Sequence, residues 1–170
     1  MELDKQTRAF PPIIPTVPRI LILGTMPGVK SLEKNQYYGH PQNQFWKFMG
    51  DIFGAGKDLP YEERVRILKN KGVAVWDVLL SCQRKGSMDA DIRNPIVNDF
   101  SAFFKSYSSI ERVVFDSLTA EKIYTRHVLP DLKKELIYKR VPSPSPAYAR
   151  MRYEEKLELW RSALVLESCL

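Results

Sequence analysis

Cysteine and histidine are scarce in this 170-residue chain: Cys82 and Cys169, His40 and His127. Two cysteines so far apart form neither a disulfide framework nor metal-ligand spacing. Two histidines leave a zinc set short of donors, so no metal or other cofactor is expected. Long apolar runs are also missing. Prolines break the uncharged stretches near the start, and none reaches bilayer-spanning length. The opening MELDKQTRAF lacks a basic start followed by an apolar stretch, so no secretory leader is expected there and the expected location is cytoplasmic. The Walker and dinucleotide glycine patterns are absent, which weighs against a nucleotide cofactor. There is no internal repeat and no low-complexity block.

The chain does have enough apolar material for a core: 44% of residues are hydrophobic and 27% charged, ordinary for one globular domain. Lysine and arginine total 26 against 20 acidic residues, a net charge of +6 that invites a polyanionic partner, with plain solubility as the alternative. Basic residues gather late, at Lys133, Lys134, Lys139, Arg140, Arg150 and Arg152.

Residues 1–18, rich in proline, read as an extended lead-in to a single domain over 19–168. Arg19 to Gly24 is continuously apolar after its first residue and reads as a strand buried on both faces, as in a parallel sheet. Similar strands are expected at 73–80, 112–115 and 136–141, with 81–95 as a loop. Helices are expected from Asn43 to the stop at Gly54, from Pro60 to about Lys71, after Asn98 or Asp99, over 118–127, and over 151–166. The alternation implies an α/β three-layer sandwich: a central four-stranded parallel sheet with helices on both faces. In such sheets the ligand crevice lies beyond the carboxyl ends of the strands. Four segments fall there: 24–43, 76–95, 116–117 and 142–150.

Each segment carries candidates. Gly24-Thr25-Met26-Pro27-Gly28 is a turn whose amides can face a ligand, or simply a tight turn. Tyr37, Tyr38 and His40 follow in a polar loop, where the rings either stack on a base or plug the loop onto the core. Asn43 caps a helix by its position and keeps part of its amide for a water or ligand. Asp77 interrupts an apolar strand, so its carboxylate needs partners or neutralisation, and Arg93 and Asn94 are candidate partners. Cys82 has no evident base beside it, a poor setting for a nucleophile. In Pro142-Ser143-Pro144-Ser145-Pro146-Ala147-Tyr148-Ala149-Arg150, three prolines stiffen a loop whose serines, amides and Arg150 suit phosphate oxygens. The alternative is a rigid connector.

Taken together, Gly24-Thr25-Met26-Pro27-Gly28, the string from Gln36 to Trp46 (QYYGHPQNQFW), Gly72 to Leu79, Ile92-Arg93-Asn94-Pro95 and Ser143 to Ala147 resemble the uracil-DNA glycosylase superfamily, nearest its hypoxanthine-DNA glycosylase branch. The mismatch-specific uracil glycosylases are more distant cousins. The resemblance covers roughly residues 19–160. It implies a metal-free DNA N-glycosylase that flips a deaminated base, hypoxanthine first, out of double-stranded DNA and hydrolyses its N-glycosidic bond. Many relatives carry Asn or Asp where Met26 stands, and a His where Ser143 stands. In the hypoxanthine branch the Asn of the HPxN string takes the catalytic role, which here is Asn43. From their place in the crevice, base contacts are expected from Gly24, Thr25, Met26, Tyr37 or Tyr38, His40, Asp77 and Asp116, the last at a position where the resemblance leads one to expect Asn-Gly. DNA contacts fall to Ser143, Ser145, Ala147, Tyr148 and Arg150. An ionised Asp77 would accept the N1–H of hypoxanthine and repel adenine. The expected state is a monomer, nucleoid-associated when bound to DNA. Three alternatives stay open: a uracil-preferring glycosylase; a lesion-binding protein without catalysis, favoured by Met26 and Ser143 and opposed by the retained Asn43; and an enzyme acting on free nucleosides, against which the basic late loop counts.

Overall fold

The computed structural model describes residues 6–146 and 148–166. Elements numbered in chain order are β1 (Gln6–Arg8), β2 (Ile20–Gly24), α1 (Val29–Lys34), α2 (Phe45–Phe53), α3 (Tyr61–Asn70), β3 (Val73–Asp77), β4 (Leu79–Gln83), β5 (Arg93–Val97), α4 (Phe100–Ser106), β6 (Arg112–Phe115), α5 (Leu118–His127), β7 (Ile137–Arg140) and α6 (Tyr153–Leu164).

The central sheet is four-stranded and wholly parallel, in the order β3-β2-β6-β7. All five residues of β2 are buried because helices cover both faces. Successive side chains of a strand point to opposite faces. Ile20 and Ile22 accordingly join one core with Phe45, Trp46 and Phe48 of α2, Leu68 of α3 and Trp160 of α6. Leu21 and Leu23 join another core with Phe100, Phe103 and Phe104 of α4 and Tyr124 of α5. Gly54 stops α2 in the left-handed region (φ 81°), the conformation glycine adopts at least cost. Asp99 and Ser117 cap α4 and α5 through their side chains.

Two expectations need correction. The apolar run 73–80 is not one strand. It turns at Val78, whose amide donates to the Gly24 carbonyl at 2.8 Å, and continues as β4 in a different sheet. The stretch 81–95 is not a loop: it holds most of β4, a 3-10 turn at Asp89–Asp91, and the start of β5. β4 pairs antiparallel with β5 on one side and β1 on the other. β5 is exposed over most of its length and lies at an edge, where Pro95 costs no essential ladder bond. Part of the lead-in is therefore built into the fold: β1 pairs with β4, and Ile13 bridges Val75 through two backbone bonds. The short helix α1, inside the first crevice segment, has no counterpart in the expectations. Among the described residues no helix is long and apolar enough to cross a membrane.

Candidate active site

Three adjacent strands, β3, β2 and β6, end side by side. Gly24 lies in register with Asp77, and Leu23 with Phe115, so Asp116 follows at the same level. A methyl group built on Gly24 would lie 2.7 Å from Asp77 Oδ1 and 2.9 Å from Asp116 Oδ2. The two carboxylates therefore face each other across a strand end that has no side chain. Both are nearly enclosed, at 6% and 8% exposure. Asp77 Oδ2 has no hydrogen-bond partner, while Asp116 Oδ2 accepts from the Tyr38 hydroxyl at 2.8 Å. The expected partners of Asp77 are engaged elsewhere. Asn94 donates to Gln83 Oε1, and Arg93 to the carbonyls of Ala90 and Ile92.

Two buried carboxyls this close do not ionise together cheaply. Burial first, then the charges of Asp116 and Asp89, push Asp77 well above the usual carboxylate range, and Arg84 draws it back. Burial also raises Asp116, to about 7; hydrogen bonds from Tyr38 and Ser117 restrain it, and Asp89 adds to the rise. Burial thus pushes both carboxyls toward the protonated form, Asp77 well above the usual range and Asp116 to about 7. An ionised Asp77, as the sequence suggested, is not what this environment supports, because the sequence does not reveal Asp116 as its neighbour. The Tyr38 phenol, held high by burial and then by Asp116, stays a donor.

The two tyrosines separate. Tyr37 turns inward: its hydroxyl donates to the Pro11 carbonyl at 2.9 Å and its own carbonyl accepts from Trp46 Nε1 at 2.8 Å. It plugs the loop onto the core. Tyr38 has φ 54°, an uncommon conformation for a bulky residue, and stacks on Phe45 with centroids 3.8 Å apart. Its hydroxyl reaches Asp116, so Tyr38 is the aromatic wall beside the carboxylates. His40 is exposed, and its Nδ1 accepts from the Gln42 amide.

Asn43 lies where the loop enters α2. Its Oδ1 accepts from the Phe45 amide at 2.9 Å, which directs its NH2 away from the helix as a donor. The Gln44 amide donates to the Pro144 carbonyl at 2.9 Å, joining this helix start to the late proline loop. In that loop Ser143 Oγ accepts from the Ser145 amide, Trp160 Nε1 holds the Pro142 carbonyl, and Tyr148 and Arg150 are exposed. Ala147 and Cys169 lie outside the described residues.

The turn after β2 is built for support. Met26 is buried and packs with Leu79 and Cys82. Thr25 is buried, and its hydroxyl lies toward the Asp89 carboxylate. Sequence reasoning missed Arg84, which looked like part of a surface loop. Its side chain is only 2% exposed, lies 3.6 Å from the Asp89 carboxylate, and donates to the Pro27 carbonyl. Burial raises the Cys82 thiol, which suits a packing role.

With this geometry in place, comparison with known proteins is informative. A family model described as the uracil DNA glycosylase superfamily matches residues 11–165. The chain belongs to that superfamily. It is thereby a DNA N-glycosylase. A Methanosarcina acetivorans protein named hypoxanthine DNA glycosylase is 31% identical over 152 residues, 89% of this chain and 92% of the relative. One of the same name from Methanosarcina barkeri is 37% identical over 110 residues, 64% of this chain and 70% of the relative. The solution NMR structure of a candidate uracil DNA glycosylase from Methanosarcina acetivorans superposes with a TM-score of 0.79 at 30% identity, covering 94% of this chain and 97% of the other.

In this glycosylase Gly24 has a steric role that substitution can test. Gly24→Ala is expected to push the carboxylates apart, costing about 1–3 kcal/mol of stability by overpacking. Excision is expected to fall more than stability explains, measured as single-turnover rate beside a denaturant titration. An alanine variant with wild-type rate would remove the carboxylate pair from the site.

Proposed function

We propose that this glycosylase excises hypoxanthine from duplex DNA, acting as a monomer in the cytoplasm and nucleoid, with the Asp77–Asp116 pair reading the flipped base. The observation that carries this reading is the pair itself: two enclosed carboxyls converging on the bare end of β2, one beside a tyrosine donor. Holding one proton between them, they offer an acceptor on Asp116 and an O–H donor on Asp77. The lactam edge of hypoxanthine is complementary, with N1–H to give and O6 to receive. Adenine has a lone pair at N1, which the ionised Asp116 repels. A site built to bond an N–H discriminates strongly against a base lacking it.

The same groups serve the reaction. As the C1′–N9 bond breaks, its electrons move onto the base, and charge gathers partly at O6. The Asp77 hydroxyl donates there, supplying stabilisation that the late loop lacks with Ser143 in place of histidine. Tyr38 walls the base. The outward NH2 of Asn43 is a donor, so it orients the attacking water through the water's oxygen or holds a sugar oxygen. Asn43 takes no proton, because an amide has no suitable pKa. Water adds to C1′ and gives one proton up to solvent, and the departing hypoxanthine anion takes one proton back from solvent, so that the products are a C1′ hydroxyl and the neutral base. The names of the two Methanosarcina relatives favour hypoxanthine over uracil, which shows the same lactam edge and is the second reading.

The test is a set of matched duplexes holding hypoxanthine, uracil, xanthine or normal bases, assayed by alkaline strand cleavage, with free inosine as competitor. The expected result is cleavage at hypoxanthine, sparing of adenine, no competition by inosine, and DNA affinity that falls steeply with salt. Cleavage confined to uracil would transfer the assignment to the second reading.

A further inference from the structure

α6 buries a lysine whose charge has no carboxylate partner among the described residues. Lys156 is 3% exposed. Its ammonium donates to Gln44 Oε1 at 2.9 Å and to the Tyr148 carbonyl at 2.6 Å, and lies 5.2 Å from the centre of the Tyr148 ring. Burial lowers its pKa, which records the cost of enclosing a charge among neutral groups. A methionine would fill similar space without that cost. Packing alone therefore does not account for an ammonium here. Its two acceptors have separate roles. Gln44 follows Asn43 at the entry to α2, and Tyr148 belongs to the exposed end of the 142–150 loop, beside Arg150.

We propose that Lys156 is a positioning residue that ties the DNA-gripping loop 142–150 to the Asn43 helix start, so that docking of the duplex sets Asn43 for reaction. The inference rests on the glycosylase reading above for its final step. The link itself consists of three bonds: Lys156 to Gln44, Lys156 to Tyr148, and the Gln44 amide to the Pro144 carbonyl. The ammonium is too enclosed to meet a phosphate directly. A phosphate held by the loop would add negative charge nearby and tighten the link. Displacement of a catalytic group by about 1 Å can cost on the order of 100-fold in rate, so a modest loosening is enough to be read.

The test uses the full chain with Lys156→Met, Gln44→Ala and the double variant. Three quantities are measured: single-turnover excision at saturating hypoxanthine duplex, the salt slope of binding to an undamaged duplex, and hydrogen exchange over residues 43–48 with and without that duplex. Each single variant is expected to excise about 10- to 100-fold more slowly at saturation, and the double variant no more slowly than either. The salt slope should stay unchanged. Undamaged duplex should slow exchange at 43–48 in the wild type and not in the variants. A salt slope smaller by about one phosphate contact, with the saturated rate intact, would make Lys156 a direct phosphate ligand and overturn the proposal. An additive double variant would do so as well. If Lys156→Met does not fold, Gln44→Ala decides alone. A wild type that excises no base would sink the substrate assignment, and the exchange arm would still decide the link.

Discussion

Asn43→Ser is expected to excise about 100- to 1000-fold more slowly than the wild type at saturating duplex, comparable to the loss of a transition-state dipole. Its melting temperature should barely move. Serine keeps the oxygen that accepts from the Phe45 amide, the bond Asn43 makes in the structure. What it loses is the outward NH2. Asn43→Ala loses both, so the same rate defect should come with about 1 kcal/mol of lost stability from the uncapped helix. Together the two variants separate the capping role from the chemical one. Equal rates for Asn43→Ser and wild type would leave Asn43 a cap and nothing more.

The second large effect concerns Asp116 and has a definite sign. Its folded-state pKa is raised to about 7 from 3.8. The native state therefore holds a proton that the unfolded chain releases, and the stability this confers is fully present below 3.8 and lost as pH rises to about 7. Asp116→Asn cannot ionise. It is expected to match the wild type near pH 4 and to exceed it by several degrees, on the order of 5 °C, at pH 8. Activity should move oppositely. Hypoxanthine excision by the wild type should climb as Asp116 ionises through about 7 and then level, since the carboxylate is the acceptor for N1–H. Asp116→Asn should lose that inflection and discriminate less against adenine. The groups that bear on Asp116 and its neighbour Asp77 are Tyr38, Ser117, Asp89 and Arg84. Tyr38 stays protonated across this range, so it does not supply the inflection. A variant with the wild-type pH profile would assign the inflection elsewhere.

The parallel sheet was legible because its strands are buried on both faces, which leaves continuous apolar runs such as Arg19 to Gly24. The smaller antiparallel sheet was not. β5 is mostly exposed, and its sequence Arg93-Asn94-Pro95-Ile96-Val97 looks like a loop until β4 lies beside it. Asp77 stood out as a carboxylate in an apolar strand. The rise of its pKa did not, because that comes from burial first and then from Asp116, which meets it only through the pairing of β3, β2 and β6. Tyr37 and Tyr38 are neighbours of one type, and only the positive φ of Tyr38 and the inward bonds of Tyr37 decide which faces the carboxylates. Arg84 and Lys156 were invisible for a shared reason: a lone basic residue in a polar stretch reads as solvated, and burial by distant segments leaves no local mark. Asn43 was found from its string, although its amide orientation comes from the Phe45 bond alone.

The most direct measurement is quantification of free base released from a hypoxanthine duplex by wild type and Asn43→Ser under single-turnover conditions, with an adenine duplex beside it. The expected result is one equivalent of free hypoxanthine from the wild type, almost none from Asn43→Ser on the same timescale, and no adenine from either. Salt-sensitive binding of the hypoxanthine duplex with no free base released would contradict it and make this chain a lesion binder.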